Sequence, residues 1–184
     1  MSDARPPSQF EAFVVAHQNM VFATAVRLLG RPADAEDVAQ TVFLKAWERF
    51  DELSVSPSAP GWLRTVATNL SLNHLTRHRR RWQLFSEMGR EGEEADMNPV
   101  EMLKSTDESP AESIERVERD AGLEAAVRQL PDAQRVPLVL FHFEELSYQD
   151  IAAKLGVSLG KVKTDIHRGR LALRGYLSDD NGSR

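Results

Sequence analysis

Apolar residues recur at every third or fourth position through most of the chain, and this spacing predicts α-helices. The first helix should end at Gly30, and its apolar stripe consists of Phe10, Phe13, Val14, His17, Val21 and Leu28. The second should begin at Asp34, and its core face consists of Val38, Val42, Phe43, Ala46 and Phe50. The third should begin near Pro60 and bury Leu63, Val66, Ala67 and Leu70. No segment alternates apolar and polar residues as a strand would, so the predicted fold class is all-α.

The helical pattern stops between residues 82 and 109, where Glu, Gly, Asp, Ser and Pro dominate. A segment of this composition buries too little apolar surface to offset the entropy lost when the chain is ordered. It is therefore predicted to be a flexible acidic linker. Residues 100–104 could form a short helix within it. Helical spacing resumes at Ile114, Val117, Ala121, Leu123 and Val127. The chain is thus predicted to contain an N-terminal helical domain (1–81), the linker (82–109), a C-terminal helical domain (110–178) and a disordered tail (179–184).

A helix-turn-helix is predicted within the C-terminal domain. A helix over 132–143 is predicted before it. Pro137 is compatible with that helix only if it lies in the first turn. Ser147 should cap the next helix, Gly156 should end it in a left-handed conformation, and Ser158 should cap the last helix. This order of caps, glycine and helices is the helix-turn-helix spacing. The inward-facing residues should be Ile151, Ala152, Leu155, Val157, Val162, Ile166 and Leu173.

The outer face of the last helix carries cations and a hydroxyl, namely Lys161, Lys163, Thr164, His167, Arg168 and Arg170. Long cations and short hydroxyls suit a helix that enters the major groove of DNA. Asp165 opposes phosphate contact, although it could accept a hydrogen bond from a cytosine amino group. An ordinary helical hairpin with a solvated basic face is the alternative.

Charge and cysteine content narrow the functional classes. The net charge is −5, but 1–81 carries +2 and 82–109 carries −6, and local fields steer a polyanion more than the total does. The absence of cysteine excludes disulfides, thiolate zinc sites, iron–sulfur clusters and a cysteine nucleophile. No metal site or other cofactor is predicted for the chain. Neither a membrane span nor a signal peptide is expected, which predicts a soluble cytoplasmic protein.

Two further surfaces lie in the N-terminal domain. The outer side of the second helix presents Asp37, Gln40, Thr41, Leu44 and Glu48, flanked by Asp34 and Glu36. This side is suited to binding a basic partner. The alternative is that its acids only cap a surface helix, where they interact favourably with the helix dipole. The outer side of the third helix presents Arg64, Thr65, Thr68, Asn69, Leu72, Asn73 and Thr76, followed by the basic run at 77–81. Trp47 and Trp62 flank a Ser/Pro loop next to this side, and aromatic, amide and basic side chains together suit the binding of unpaired bases. The alternative is that the tryptophans belong to the core and that the arginines form a solvated helix end.

Four stretches of the chain, in their order, resemble the extracytoplasmic-function (group 4) sigma factors, the smallest sigma subunits of bacterial RNA polymerase. They are DAEDVAQTVFLKAW at 34–47, WLRTVATNL at 62–70, LSYQDIA at 146–152 and GKVK at 160–163. The resemblance spans 10–81 and 110–177. Two positions depart from the family pattern: Thr65 stands where arginine is frequent, and Asp165 where a basic residue is usual.

The resemblance implies an alternative sigma factor, not an enzyme, that binds core polymerase and initiates transcription of a stress or envelope regulon. The implied partners are the clamp helices of the largest subunit, the flap, promoter DNA and an anti-sigma factor, without membrane insertion. Contact with the clamp helices would involve Asp34, Glu36, Asp37, Gln40 and Leu44. The minus-ten element would be bound by Trp62, Arg64, Asn69, Asn73, Arg77, Arg79, Arg80 and Arg81, with Asn69 at a flipped base. The minus-thirty-five element would be bound by Lys161, Lys163, Thr164, His167, Arg168, Arg170 and Arg174.

Two other classes of function remain. A helix-turn-helix regulator would need an N-terminal sensing domain, and neither strands nor a glycine-rich phosphate loop is evident there. An enzyme would need candidate chemistry, and no nucleotide fingerprint or paired His/carboxylate spacing is present. Both classes could act without core polymerase, whereas a sigma factor could not.

Overall fold

The computed structural model describes the backbone of residues 7–83 and 122–181 and the side chains of 9–77 and 122–177. The described residues form helices and turns and contain no strand, which confirms the all-α class. The chain divides into two compact units, Met1–Gly89 and Arg90–Arg184. The short helix considered at 100–104 and the helical stripe at 114–121 lie outside the described residues, as does nearly all of the predicted linker.

The N-terminal unit contains four helices: α1 (Pro7–Leu29), α2 (Pro32–Glu48), the single turn α3 (Phe50–Leu53) and α4 (Ala59–Gln83). α1 ends as predicted, because Gly30 adopts φ +72° and its N–H donates to the carbonyl of Val26 at 2.8 Å. The predicted start of α2 at Asp34 is wrong by two residues. Pro32 occupies the first helical position, where its fixed φ suits the helix and its missing N–H costs no hydrogen bond.

The core of this unit lies where α1, α2 and α4 pack against one another. Its buried members are Val21, Ala25, Val26, Leu29, Ala35, Val38, Val42, Ala46, Leu53, Ala59, Leu63 and Ala67. Phe43, Val66 and Leu70, predicted as core, are only partly buried against it. Phe50 is buried as predicted but belongs to α3, because α2 ends two residues earlier.

Residues Gln9–Leu29 are long and apolar enough to cross a membrane by length and composition alone. The sequence expectation rested on uninterrupted apolar runs, whereas mean hydropathy tolerates the interspersed polar residues of this segment. In the fold this segment is α1, which buries Val21, Ala25 and Leu28 completely against α2 and α4.

The C-terminal unit contains α5 (122–129), α6 (Asp132–His142), α7 (Tyr148–Leu155) and α8 (Leu159–Asn181). α6 ends one residue before the prediction, but the expectation for Pro137 is wrong, because the proline is the sixth residue of the helix. An interior proline costs about 3 kcal/mol in an isolated helix. Burial of the neighbouring apolar residues outweighs that cost; they are Val136, Leu138, Val139 and Leu140.

The helix-turn-helix is built from the predicted caps. The Ser147 hydroxyl accepts a hydrogen bond from the Asp150 N–H at 3.1 Å, and Gly156 ends α7 at φ +66°. The Ser158 hydroxyl accepts from the Lys161 N–H at 3.2 Å and begins α8. Ile151 is completely buried, as are two residues of α8, Val162 and Ile166. α8 continues to Asn181, into the first three residues of the segment predicted as a disordered tail (179–184).

Candidate functional site

The outer side of α2 is a mixed acidic, amide and apolar surface. Glu36, Asp37 and Gln40 are exposed, and Leu44 exposes 67% of its surface. The buried residues of α2 lie on its opposite side, so tertiary packing leaves this face open. This side therefore offers one apolar side chain together with acids and an amide.

Asp34 differs from the other four residues implied in polymerase contact. Its carboxylate lies 3.6 Å from His74 Nε2 of α4, and each side chain is about a quarter exposed. The acid is therefore turned towards α4, whereas Asp37 is exposed to solvent.

A groove of about 940 Å³ runs between α1 and α2 beside this surface. α1 contributes Phe10, Val14, Gln18, Asn19 and Phe22, and α2 contributes Glu36, Ala39, Gln40, Phe43, Leu44 and Trp47. Sequence reasoning missed the α1 half, because Phe10 and Val14 belong to the stripe that also forms the core. The four-residue spacing of Phe10, Val14, Gln18 and Phe22 is the signal that could have shown a second wall.

The outer side of α4 presents exposed Arg64, Asn69, Asn73 and Arg77. Thr65 is also exposed, and its hydroxyl donates to the Gly61 carbonyl of its own helix at 2.9 Å. Thr68 was predicted on this face and is instead buried at 4% exposure. The residue before it, Ala67, is completely buried. The side chains of Arg79, Arg80 and Arg81 lie outside the described residues.

A tight turn at 54–58 joins α3 to α4, and Val55 at its tip is 83% exposed. Sequence reasoning did not single out this valine. Trp62 is partly buried, and the Arg49 guanidinium lies 5.7 Å from the centre of its ring. Trp47 packs edge-on against Phe10, with their ring centres 4.8 Å apart, and it is 38% exposed. It therefore contacts the core and also lines the groove.

α8 presents most of its cations to solvent. Lys161, Lys163, Arg168 and Arg174 are exposed, while Thr164 and His167 are partly buried. Four cations of this helix are therefore accessible to solvent.

Arg170 faces its own unit more than solvent. Its Nε donates to His142 Nε2 at 3.2 Å, and its guanidinium lies 5.6 Å from the centre of the Phe141 ring. Partial burial, together with the Arg170 charge, lowers the pKa of His142 below its ordinary 6.5, so the imidazole is neutral near pH 7 and can accept this hydrogen bond.

Asp165 does not lie on the surface that would face phosphates, contrary to the concern raised by its sequence position. It is 8% exposed, and its Oδ2 accepts a hydrogen bond from Lys161 Nζ at 2.8 Å. The residue is inward-facing because it adjoins the buried stripe of α8. Within the described parts of the chain, no group of histidines and acids could hold a metal ion.

Two family models match the chain, one to each unit. Residues 13–81 match Sigma-70 region 2, and residues 121–173 match Sigma-70, region 4. The chain is 30% identical over 92% of its length to the ECF RNA polymerase sigma factor SigW of Bacillus subtilis, covering 89% of that protein. It is 36% identical over 92% of its length to the ECF RNA polymerase sigma factor SigE of Mycolicibacterium smegmatis, covering 62% of it.

A solved structure, that of the sigma factor RpoE with the anti-sigma factor NepR from Bartonella quintana, is 23% identical and has a TM-score of 0.47. It covers 92% of this chain and 96% of that chain.

Two helical units that match regions 2 and 4, in that order, define a sigma-70-type transcription initiation factor. Within that class, the chain belongs to the extracytoplasmic-function sigma factors, as its resemblance implied. It is thus an alternative sigma factor, and the reading as a regulator with a sensing domain is not favoured. Members of the family are initiation factors and are not catalysts on their own.

Proposed function

We propose that the N-terminal unit docks on core RNA polymerase and reads an opened minus-ten element, while α8 reads the minus-thirty-five element. The promoters would belong to a stress or envelope regulon, and the protein would act in the cytoplasm. The observation that carries the proposal is the outer side of α2, where an exposed leucine lies among acids beside an open groove.

Polymerase docking would use Glu36, Asp37, Gln40 and Leu44, while the Asp34 carboxylate next to them is turned towards His74. The groove between α1 and α2 offers apolar walls with an acidic and amide rim. A basic, amphipathic helical partner complements such a surface, since charge steers the encounter and apolar contact retains the partner. The clamp helices of the largest polymerase subunit are the partner that the family implies.

Minus-ten recognition would use the outer side of α4. Asn69 and Asn73 lie one helical turn apart and are both exposed, and their amides can donate to and accept from the edges of unpaired bases. Arg64 and Arg77 would contact phosphates, together with the arginines at 79–81. Trp62 offers an aromatic face near the start of the same helix.

Minus-thirty-five recognition would use the exposed cations of α8 in the major groove, with Thr164 and His167 beside them. Each unit would bind DNA weakly alone. Binding to one rigid enzyme, including its flap, would fix their spacing and raise the effective concentration of the second contact once the first forms.

Regulation and chemistry follow from the same assignment. The phosphodiester chemistry belongs to the polymerase, so the chain itself would perform none and would need no cofactor. An anti-sigma factor is the proposed regulator, acting by masking one or both units until a signal arrives.

Capture of core polymerase by the purified chain tests the docking surface. Asp37→Lys should abolish capture, because it places a cation against a basic partner. Glu145→Lys, an equal charge change at an exposed site of the C-terminal unit, should leave capture unchanged. Equal capture by Asp37→Lys and the unaltered chain would overturn the proposed docking face.

Run-off transcription tests the complete function. Core polymerase with the chain should initiate from a subset of a promoter library, and the selected promoters should share two elements with a fixed spacing. Initiation without either element would contradict the proposal.

A further inference from the structure

Asp165 is a buried acid on the helix that is proposed to read DNA. It is 8% exposed, and its neighbours on the inner side, Val162 and Ile166, are 0% and 1% exposed. A carboxylate held away from water is costly unless a charged donor reaches it. This acid therefore requires a cation close by.

Lys161 is that cation. Its Nζ donates to Asp165 Oδ2 at 2.8 Å across one helical turn, and its backbone N–H donates to the Ser158 hydroxyl at 3.2 Å. Both ends of the lysine are thus held in place. Its side chain is nevertheless 52% exposed, and an ammonium group has three N–H donors, so two remain for an outside acceptor.

The other exposed cations in the first half of α8 behave differently. The side chains of Lys163 and Arg168 have no hydrogen-bond or ion-pair partner among the described residues, so their charged ends can contact phosphates in many positions. A held ammonium loses less conformational freedom on binding and tolerates fewer acceptor positions. Such a group discriminates between ligands, whereas a mobile cation mainly attracts them.

We infer that Asp165 is a positioning residue, which holds the Lys161 ammonium at the start of α8 so that it reads one base. The inference rests on the proposed entry of α8 into the major groove. There the N-terminal residues of a recognition helix reach base edges, and lysine donors suit the O6 and N7 acceptors of guanine. Asp165 itself does not touch DNA.

Selection from promoters with a randomised upstream element, using reconstituted holoenzyme with the full chain, tests this role. The unaltered protein should prefer guanine at one position. Lys161→Gln and Asp165→Asn should each weaken that preference about fivefold or more, without changing the preference at other positions. The double variant should lose no more than either single variant, because the two residues act as one unit.

Lys163→Gln is the matched control, since it removes an unheld cation two residues away. It should weaken binding to all sequences alike and reduce the dependence on salt. If Asp165→Asn keeps the original preference, or tightens binding to every sequence, the acid only screens Lys161 and the inference is wrong.

The exposed variant Lys161→Gln keeps the test decisive even where Asp165→Asn does not fold, as judged by thermal unfolding. An unchanged base preference in Lys161→Gln overturns the inference. A holoenzyme that selects no upstream sequence overturns the proposed function of α8 instead, so the two failures are distinguishable.

Discussion

Gly169 lies where α8 packs closely against α6. A Cβ at this position would lie 2.9 Å from Leu138 Cδ1 and 3.4 Å from the Gln134 carbonyl oxygen. Leu138 is 2% exposed, so its methyl group has little room to move. Gly169→Ala should therefore lower the free energy of unfolding by about 1–2 kcal/mol, measured by urea denaturation.

Gly175→Ala on the same helix is the control for this change. Nothing lies within 4 Å of the Cβ it would add, so the gain in helix propensity should raise stability by about 0.5–1 kcal/mol. Destabilisation by both variants would show that close packing at Gly169 is not the cause.

The lowered pKa of His142 should make the free energy of unfolding depend on pH. Partial burial and the Arg170 charge lower its pKa from 6.5 in the folded protein, so the unfolded chain binds more protons just below that pH. Stability should therefore be complete above about pH 6.5 and fall as the pH falls towards the folded-state pKa. Melting temperatures of the unaltered protein should decline more steeply with acid than those of His142→Gln. Parallel profiles would contradict this role.

At the scale of elements, α7 depends on its caps because it has only eight residues. Ser147→Ala removes the oxygen that accepts from the Asp150 N–H, and should cost about 1 kcal/mol in urea denaturation. Ser147→Asn, which keeps a capping oxygen, should stay close to the unaltered protein. Equal losses in both variants would assign the effect to something other than the cap.

The individual helices also show which features the spacing of apolar residues could predict and which it could not. Capping serines and glycines act within one turn of their own helix, so Ser147, Gly156 and Ser158 were predictable. Thr68 was not, because burial on the flank of a helix depends on how closely the neighbouring helix approaches. Pro137 was misjudged for a similar reason, since packing against the rest of the unit stabilises a helix that the residue alone would break.

At the scale of the whole molecule, the charge of the segment between the units has a consequence for DNA binding. Residues 87–108 contain eight acids and two basic residues, and this local excess should repel DNA from the unbound protein. Replacing all eight acids with their amides should raise non-specific DNA affinity about threefold or more at low ionic strength, measured by fluorescence anisotropy.

A variant with residues 87–108 in shuffled order keeps this charge and serves as the control. It should bind DNA as weakly as the unaltered chain. If the neutralised variant binds no better than the shuffled one, the acidic segment does not limit non-specific binding.

The sequence by itself determined the all-α class, the caps of the helix-turn-helix and the family, because local periodicity, cap chemistry and motif spacing require no long-range contact. Only the tertiary structure decided which side chains remain available. It turned Asp34 towards His74 and Arg170 towards His142, it buried Asp165, and it formed the groove between α1 and α2. These outcomes depend on how closely the helices pack against one another, and the spacing of residues along the sequence does not specify those distances.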